Sequence, residues 1–197
     1  MLTETHRLAQ ARLGAETVRQ MFAAFPLLRV GDLDGSFEPW LDVVTSLING
    51  NRRKSSELTA GYLSAYRKSK LGPIPPFSAV LAGAVNAEAL TTSMAVTGPV
   101  TISRLLAAGK RPTEALETAL VRTSGAAQRH VLNGGRETAI KTLTADPEAL
   151  GYYRKTSAKA CDFCRMLAGR GAVYLSESSG GFKPHDTCHC TPEPLYR

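Results

Sequence analysis

The chain of 197 residues has no long apolar run and no segment typical of an exported protein. No stretch approaches the roughly 18 consecutive apolar residues that a membrane-spanning helix requires. The first residues, MLTETHRLAQARLGAE, contain no apolar region followed by a cleavage site of small residues, so they predict no secretory signal. We therefore expect synthesis in a reducing cytoplasm and no membrane partner.

Cysteine is also scarce, and all four cysteines lie within the last forty residues. In a reducing compartment, clustered thiols favour metal binding over disulfide bonds. The chain has no internal repeat, low-complexity tract or heptad array. Its composition, 43% hydrophobic and 21% charged residues, is that of a globular protein with an ordinary core. The cysteines are therefore the main chemical signal in the sequence.

Charge of one sign is not concentrated in any part of the chain. The 24 Lys and Arg residues exceed the 17 Asp and Glu residues, which gives a formal net charge of +7 at pH 7. This excess supports weak, salt-sensitive attraction to the phosphates of double-stranded DNA. It does not supply the dense set of side chains that reading a base sequence requires.

The first 70 residues have apolar positions at the spacing of an α-helix. The 3.6-residue period predicts one helix over residues 3–25 and a longer one from Pro39 to about Lys70. We expect residues 31–35 to form a solvated loop and Asn49-Gly50-Asn51 to kink the second helix. The apolar face of the first helix would consist of Leu8, Ala11, Ala15, Val18 and Phe22, with Arg12 beside them.

The second predicted helix is rich in positive charge. One interpretation is a surface that follows a phosphate backbone, with Tyr62 and Tyr66 stacking on bases. The interpretation that we favour is a solvated basic face with both tyrosines partly in the core. The cations concerned are Arg52, Arg53, Lys54, Arg67, Lys68 and Lys70.

Prolines divide the helical region. Gly72-Pro-Ile-Pro-Pro76 predicts a stiff linker between two helical packets, because proline fixes φ and moves the preceding residue out of the helical region. After it, the apolar period predicts helices over residues 78–96 and from Pro112, with a short segment at 100–108 between them. We expect Gly134-Gly135 to end or bend the last of these helices.

A domain boundary is expected near residue 146. It separates a helical body, residues 1–145, from a C-terminal domain, residues 146–197. The elements expected in this domain are a helix start at Asp146-Pro147-Glu148, a strand at 152–154, a short helix at 162–168, a strand at 172–175 and a flexible turn at 178–181. The predicted fold class is mainly α with a small α+β zinc-knuckle domain at the C-terminus.

The C-terminal domain contains two groups of metal-binding side chains, separated by twenty residues. Cys161-Asp-Phe-Cys164 directs two sulfur atoms to one site, and His185-Asp-Thr-Cys188-His189-Cys190 offers further donors. Thiolate and imidazole ligands in two close groups suit a tetrahedral, structural Zn²⁺. We expect Cys161, Cys164, His185 and Cys188 to bind it, with Cys190 as the alternative to His185 or Cys188. His189 is expected to point away from the metal.

Other chemistries use similar residues. A redox pair would use Cys161 and Cys164 and leave the remaining cysteines unexplained. A catalytic zinc would need an open position and a general base, and Glu177 is the only glutamate between the two ligand groups. A His-centred metal-dependent nuclease and a zinc-ribbon nucleic-acid-binding protein are the alternatives to a structural role. We expect the chain not to be an enzyme.

The order of these residues resembles the C-terminal domain of the phage Mu F-like head morphogenesis proteins. These are minor capsid proteins of tailed phages, and the resemblance is greatest to those of actinobacterial phages. It covers about residues 150–194. The residues that carry it are Tyr152-x-Arg154, Cys161-x-x-Cys164, Val173-Tyr174 and His185-x-x-Cys188-x-Cys190-Thr-x-x-Pro194.

The resemblance implies a virion protein inside the capsid, near the portal, that aids head assembly and genome packaging or delivery. Its expected partners are the portal protein, the major capsid protein or both, with non-specific contact to packaged double-stranded DNA. The family's Cys and His pattern falls on Cys161, Cys164, His185, Cys188 and Cys190. Asp186-Thr187 and His189 stand where the family often has Pro-Asn and Arg.

Overall fold

The computed structural model describes residues 1–73, 75–157, 160–171, 182 and 184–197. The fold class is confirmed, because the chain is mainly helical with one small antiparallel sheet. The helices are α1 (Leu2–Ala24), α2 (Leu33–Leu71), α3 (Ala87–Thr97), α4 (Pro99–Ala107), α5 (Pro112–Ala145) and α6 (Asp162–Ala168), and the strands are β1 (Ala149–Lys155) and β2 (Thr191–Tyr196). A 3-10 turn, Phe25–Leu27, follows α1. The strand predicted at 172–175 and the turn predicted at 178–181 lie outside the described residues.

Helix α2 begins earlier than its apolar period predicts, and it is not interrupted. Asp32 caps its N-terminus by accepting the backbone N–H of Gly35 at 3.1 Å, so residues 33–35 are helical rather than part of a solvated loop. Asn49-Gly50-Asn51, where a kink is expected, lies within this continuous helix of 39 residues. Instead, the Asn51 amide donates to Gln20 of α1 at 2.6 Å.

Helix α5 is the centre of the body, and its two adjacent glycines let α2 lie against it. A Cβ at Gly134 would lie 2.6 Å from the Arg52 carbonyl oxygen, and one at Gly135 would lie 2.5 Å from Thr59 Oγ1. The expectation that Gly134-Gly135 ends the helix is wrong, since α5 continues to Ala145. The glycines permit close helix packing here rather than terminating a helix.

One hydrophobic cluster extends over α1 to α5. Its fully buried members include Met21, Trp40, Met94, Ile102 and Val131. Helices from both sides of residues 72–76 contribute to it, so the two expected helical packets have no separate cores. The boundary near residue 146 stays a prediction.

The chain between α2 and α3 is extended, which corrects the helix predicted at 78–96. Residues 75–86, here called the extended segment, run along α5 and are held by side-chain acceptors. The backbone N–H groups of Val80 and Ala82 donate to Thr142 Oγ1 and Thr138 Oγ1, each at 2.9 Å. Val85 N–H donates to Asn49 Oδ1 at 3.1 Å. These hydrogen bonds replace the backbone bonds that a helix would make. Within the predicted range, only α3, residues 87–97, is helical.

Helix α1 buries a largely polar face that ends in the apolar Met21 and Ala24, and it exposes much of the face predicted to be buried. Leu8 is 43% exposed and Phe22 is 50% exposed. The Gln10 amide donates to the Ser55 carbonyl at 2.9 Å, and the Ser55 hydroxyl donates back to Gln10 at 2.7 Å. Buried polar groups that find partners in this way cost little, so hydrogen bonding rather than apolar area decides which face is inside.

Two of the cations on α2 are buried, so they belong neither to a solvated face nor to a phosphate-binding surface. Arg52 donates to the backbone carbonyls of Gly83 and His130 at 2.8 and 2.9 Å and pairs with Glu137 at 2.5 Å. Arg67 pairs with Asp146 at 2.8 Å. Through these bonds, Arg52 links α2 to the extended segment and to α5, and Arg67 links α2 to the residue that follows α5.

The contact between α2 and α5 can be tested with alanine. We expect Gly134→Ala to lower the free energy of unfolding by about 2 kcal/mol, because the new Cβ forces the helices apart. Gly61→Ala is the matched control, since Gly61 is an exposed residue of α2 whose Cβ would meet nothing within 4 Å. This control should raise stability by about 0.5–1 kcal/mol through its helix propensity. Urea unfolding followed by circular dichroism measures both, and equal effects would contradict the close-packing account.

Burial of His6 predicts that the protein loses stability in acid. His6 stacks on Tyr62 with the ring centroids 4.4 Å apart, and burial lowers its pKa from 6.5 to about 4. Protons therefore bind preferentially to the unfolded chain between these two values, and stability falls as the pH drops through that range. The shift corresponds to a loss of about 2 kcal/mol between pH 7 and pH 5.

The variant His6→Gln isolates this contribution. Burial also lowers the pKa of His130 to about 4, so the variant keeps part of the pH dependence. We expect the difference in unfolding free energy between pH 7 and pH 5 to be smaller in His6→Gln than in the natural protein. An unchanged difference would mean that His6 is not buried in its neutral form.

Candidate metal centre

The C-terminal domain begins with a turn rather than the predicted helix. Asp146 ends α5, and its carboxylate accepts the Glu148 N–H at 3.1 Å as well as the Arg67 guanidinium. The buried ion pair holds the chain in a turn that leads directly into β1. The strand predicted at 152–154 is confirmed as part of β1.

Strand β2 completes the sheet and follows the last cysteine directly. It pairs with β1 in antiparallel register, with Tyr152 opposite Pro194 and Arg154 opposite Pro192. The sequence pattern does not predict β2, because its two prolines cannot donate ladder hydrogen bonds. They are tolerated because each strand of a two-stranded sheet is an edge strand. The sheet thereby fixes the chain on both sides of the cysteine cluster.

The first ligand group lies at the start of α6, as the short helix predicted at 162–168 requires. Cys161 precedes the helix, and its carbonyl accepts the Arg165 N–H at 3.0 Å. Cys164 lies within the first turn. Cys161 is exposed and Cys164 is buried, so the pair extends from the surface into the interior.

The second ligand group lies in a tight turn held against α5. Thr187 has a φ of 62°, and the Cys188 N–H donates to the His185 carbonyl at 3.2 Å. Asp186 accepts a hydrogen bond from Arg129 of α5 at 2.5 Å. A Cβ on Gly125 would already be 3.4 Å from the Asp186 side chain, so α5 needs a small residue there.

The structure brings all five predicted ligands together in two overlapping groups. Cys161, Cys164 and His185 form one, and Cys164, Cys188 and Cys190 form the other, with the donor atoms of each group within 4.8 Å of one another. His185 Nε2 lies 3.2 Å from Cys161 Sγ and 3.3 Å from Cys164 Sγ. Cys164 belongs to both groups. The choice of four among these five residues stays open.

The donor set suits a metal that prefers sulfur and imidazole. The sulfur atoms of Cys164 and Cys188 are 3.8 Å apart. Zinc–sulfur bonds of about 2.3 Å at tetrahedral angles place two sulfur ligands about 3.8 Å apart, so this separation fits Zn²⁺. None of the four cysteines forms a disulfide bond.

The thiols of the buried group differ strongly in acidity. A hydrogen bond with Cys190 and the nearby positive charge of Arg136 lower the pKa of Cys188 to about 4. Burial raises the pKa of Cys164 to about 11, and the neighbouring Cys188 raises that of Cys190. Cys188 and Cys161, whose pKa is also lowered, are therefore the more acidic thiols of the cluster. Because Cys164 and Cys190 must lose protons when they bind metal, metal affinity should increase with pH.

Histidines outside the two groups lie in the interior. Burial lowers the pKa of His189, and its Nδ1 has no hydrogen-bond partner in the parts of the chain that the structure describes. His6 is buried and His130 is partly buried. Glu177, considered as a general base, lies outside the described residues.

The structure adds Arg136 to the centre, which the sequence did not indicate. This buried arginine of α5 donates to the carbonyls of Cys188 at 2.5 Å and Cys190 at 3.2 Å. It lies 52 residues before Cys188 and 54 residues before Cys190 in sequence. No local spacing could have connected it with them.

Comparison with known proteins identifies the family. The model of the VG15 protein family matches residues 2–197, which is nearly the whole chain. The chain belongs to the VG15 protein family. It is therefore a phage virion-associated protein. No curated protein and no solved structure matches this VG15 chain. In the described ranges, its helices are too short or too polar to cross a membrane.

Proposed function

We propose that this VG15 protein is a structural minor capsid protein that acts in head morphogenesis. Membership of a phage virion family over residues 2–197 is the observation that carries the proposal. The resemblance of the C-terminal domain to the Mu F-like proteins supports the more specific role. The protein would lie inside the capsid near the portal, and it would aid head assembly and the packaging or delivery of the genome.

The proposed partners are the portal protein, the major capsid protein or both. An α1 face that exposes Leu8 and Phe22 offers apolar area for contact with another protein. The net charge of +7 supports a further, non-specific contact with packaged double-stranded DNA. Burial of Arg52 and Arg67 removes two cations from any such contact, so this affinity would be weak and sensitive to salt.

We propose that the metal is zinc and that its role is structural rather than catalytic. Three of the four thiols are buried, and the segments that carry the ligands, α6 and the 185–190 turn, adjoin a sheet that has two strands in the described part of the chain. A sheet of that size is marginal alone, so a metal that joins α6 to the 185–190 turn would supply the missing stability. In this role, the protein needs no open coordination position and no enzyme activity.

The zinc assignment predicts a metal content that depends on the cysteine cluster. We expect about one zinc per chain by native mass spectrometry. Cys188→Ser should lose the metal together with the order of the C-terminal domain, measured by amide hydrogen exchange. His189→Ala is the matched control for His185→Ala, and it should keep the zinc because His189 belongs to neither ligand group. Free thiols without metal in the natural protein would contradict the assignment.

The location in the virion is tested on purified particles. Quantitative mass spectrometry should detect the protein at a small fraction of the abundance of the major capsid protein. Added protease should not cleave it until the heads are opened and the DNA is released. Absence from intact particles, or an abundance equal to that of the major capsid protein, would contradict the minor capsid role. Tight binding of the purified protein to one DNA sequence would favour the zinc-ribbon alternative.

A further inference from the structure

Two buried arginines lie on one aromatic ring beneath the cysteine cluster. Arg154 of β1 is 3% exposed, and its guanidinium is 3.8 Å from the centre of the Phe182 ring. Arg136 of α5 is 4% exposed and lies 5.4 Å from the same ring. Phe182 belongs to the hydrophobic cluster that contains Cys164, Cys188 and Cys190. Arg136 is therefore buried at the cysteine cluster, and Arg154 is buried against the same ring.

These arginines have no carboxylate partner among the residues that the structure describes. Within the described ranges, the acceptors of Arg136 are neutral, namely the carbonyls of Cys188 and Cys190 and the side chain of Asn133. Nε and Nη1 of Arg154 have no hydrogen-bond partner within the described ranges. A ring face offsets part of a cation's desolvation cost, but it does not neutralise two adjacent charges.

The other buried arginines of the body have a different arrangement. Arg52 pairs with Glu137 and Arg67 pairs with Asp146, so each buried guanidinium there has a carboxylate partner. Burial of a charge without a partner is strongly unfavourable. The contrast indicates that Arg136 and Arg154 are balanced by a negative charge that forms at the cysteine cluster.

We propose that Arg136 and Arg154 are positioning residues of the metal centre, and that their charges balance a negatively charged zinc–thiolate group. The inference rests on the zinc assignment of the proposed function. Zn²⁺ with three thiolates and one neutral imidazole has a net charge of −1, and with four thiolates it has −2. Either ligand set supplies the missing negative charge. Arg136 also orients the chain through the Cys188 and Cys190 carbonyls, which fixes the directions of both sulfur atoms.

The arrangement links zinc loading to the helical body. Arg136 lies one residue after the Gly134-Gly135 contact between α2 and α5. When zinc is bound, the two cations stabilise the centre. Without zinc, the zinc–thiolate group does not form, and both cations stay buried against Phe182 without a carboxylate partner among the residues that the structure describes. The arginines should thus have opposite effects on the zinc-bound and zinc-free proteins.

The test replaces each arginine with methionine, which keeps much of its volume and removes its charge. Zinc affinity is measured by competition with a chelating dye, and thermal unfolding is followed with zinc and with excess chelator. We expect Arg154→Met and Arg136→Met to weaken zinc binding by roughly 10- to 100-fold. In chelator, Arg154→Met should melt at the same temperature as the natural protein or a higher one. Arg154→Lys, which keeps the charge, should recover part of the zinc affinity.

Arg67→Met is the control for loss of a buried arginine that has a carboxylate partner. It should lower the melting temperature equally with zinc and with chelator, and it should leave zinc affinity unchanged. The inference is overturned if Arg154→Met behaves like Arg67→Met, or if Arg154→Lys binds zinc no better than Arg154→Met. The zinc assignment would survive that result. If the natural protein binds no zinc, the assignment and the inference both fail.

Discussion

The close contact of α2 with α5 at Gly134 and Gly135 is the constraint on which the rest of the structure depends. Because no side chain separates the helices there, Ser55 reaches far enough to accept the Gly135 N–H at 3.0 Å. The same region of α2 holds Gln10 of α1 and, through Arg52, the carbonyl of Gly83 in the extended segment. One residue further along α5, Arg136 turns toward the cysteine cluster. A single helix thus sets the positions of the N-terminal helix, the extended segment and the metal centre.

Buried polar groups determine the arrangement more than apolar area does. Arg67 and Asp146 join the end of α2 to the start of the C-terminal domain, at the place where α5 gives way to β1. Thr138 and Thr142 hold a segment that has no secondary structure of its own. Such contacts are directional, so they define a single register where small and similar apolar residues such as alanine would permit several. The alanine-rich composition of α3 to α5 is compatible with a unique fold for this reason.

The features that sequence predicted well are those that depend on near neighbours in the chain. Pro26 predicts where α1 stops, and Pro112 predicts where α5 begins. The spacing of Cys161 with Cys164, and of His185 with Cys188, predicts the ligand groups. Most of the errors involve partners that are distant in sequence, although the early start of α2 depends on the local cap Asp32. The buried face of α1 is polar because its partners are on α2, and residues 78–86 are extended because α5 supplies acceptors. Arg136 and β2 could not be placed at the metal centre without the fold itself.

The hydrogen bond from Thr3 to Glu193 has a consequence for the order of folding. It joins residues 190 positions apart at a distance of 2.8 Å, so it links α1 to β2 across nearly the whole chain. Contacts between residues so distant in sequence lose the most chain entropy on closing. The antiparallel pair α1–α2 needs only a short loop, and we expect it to form early, before α5 docks. Strand β2 would then be the last element to dock. Slow formation of its contact with α1 would limit the folding rate of the whole protein.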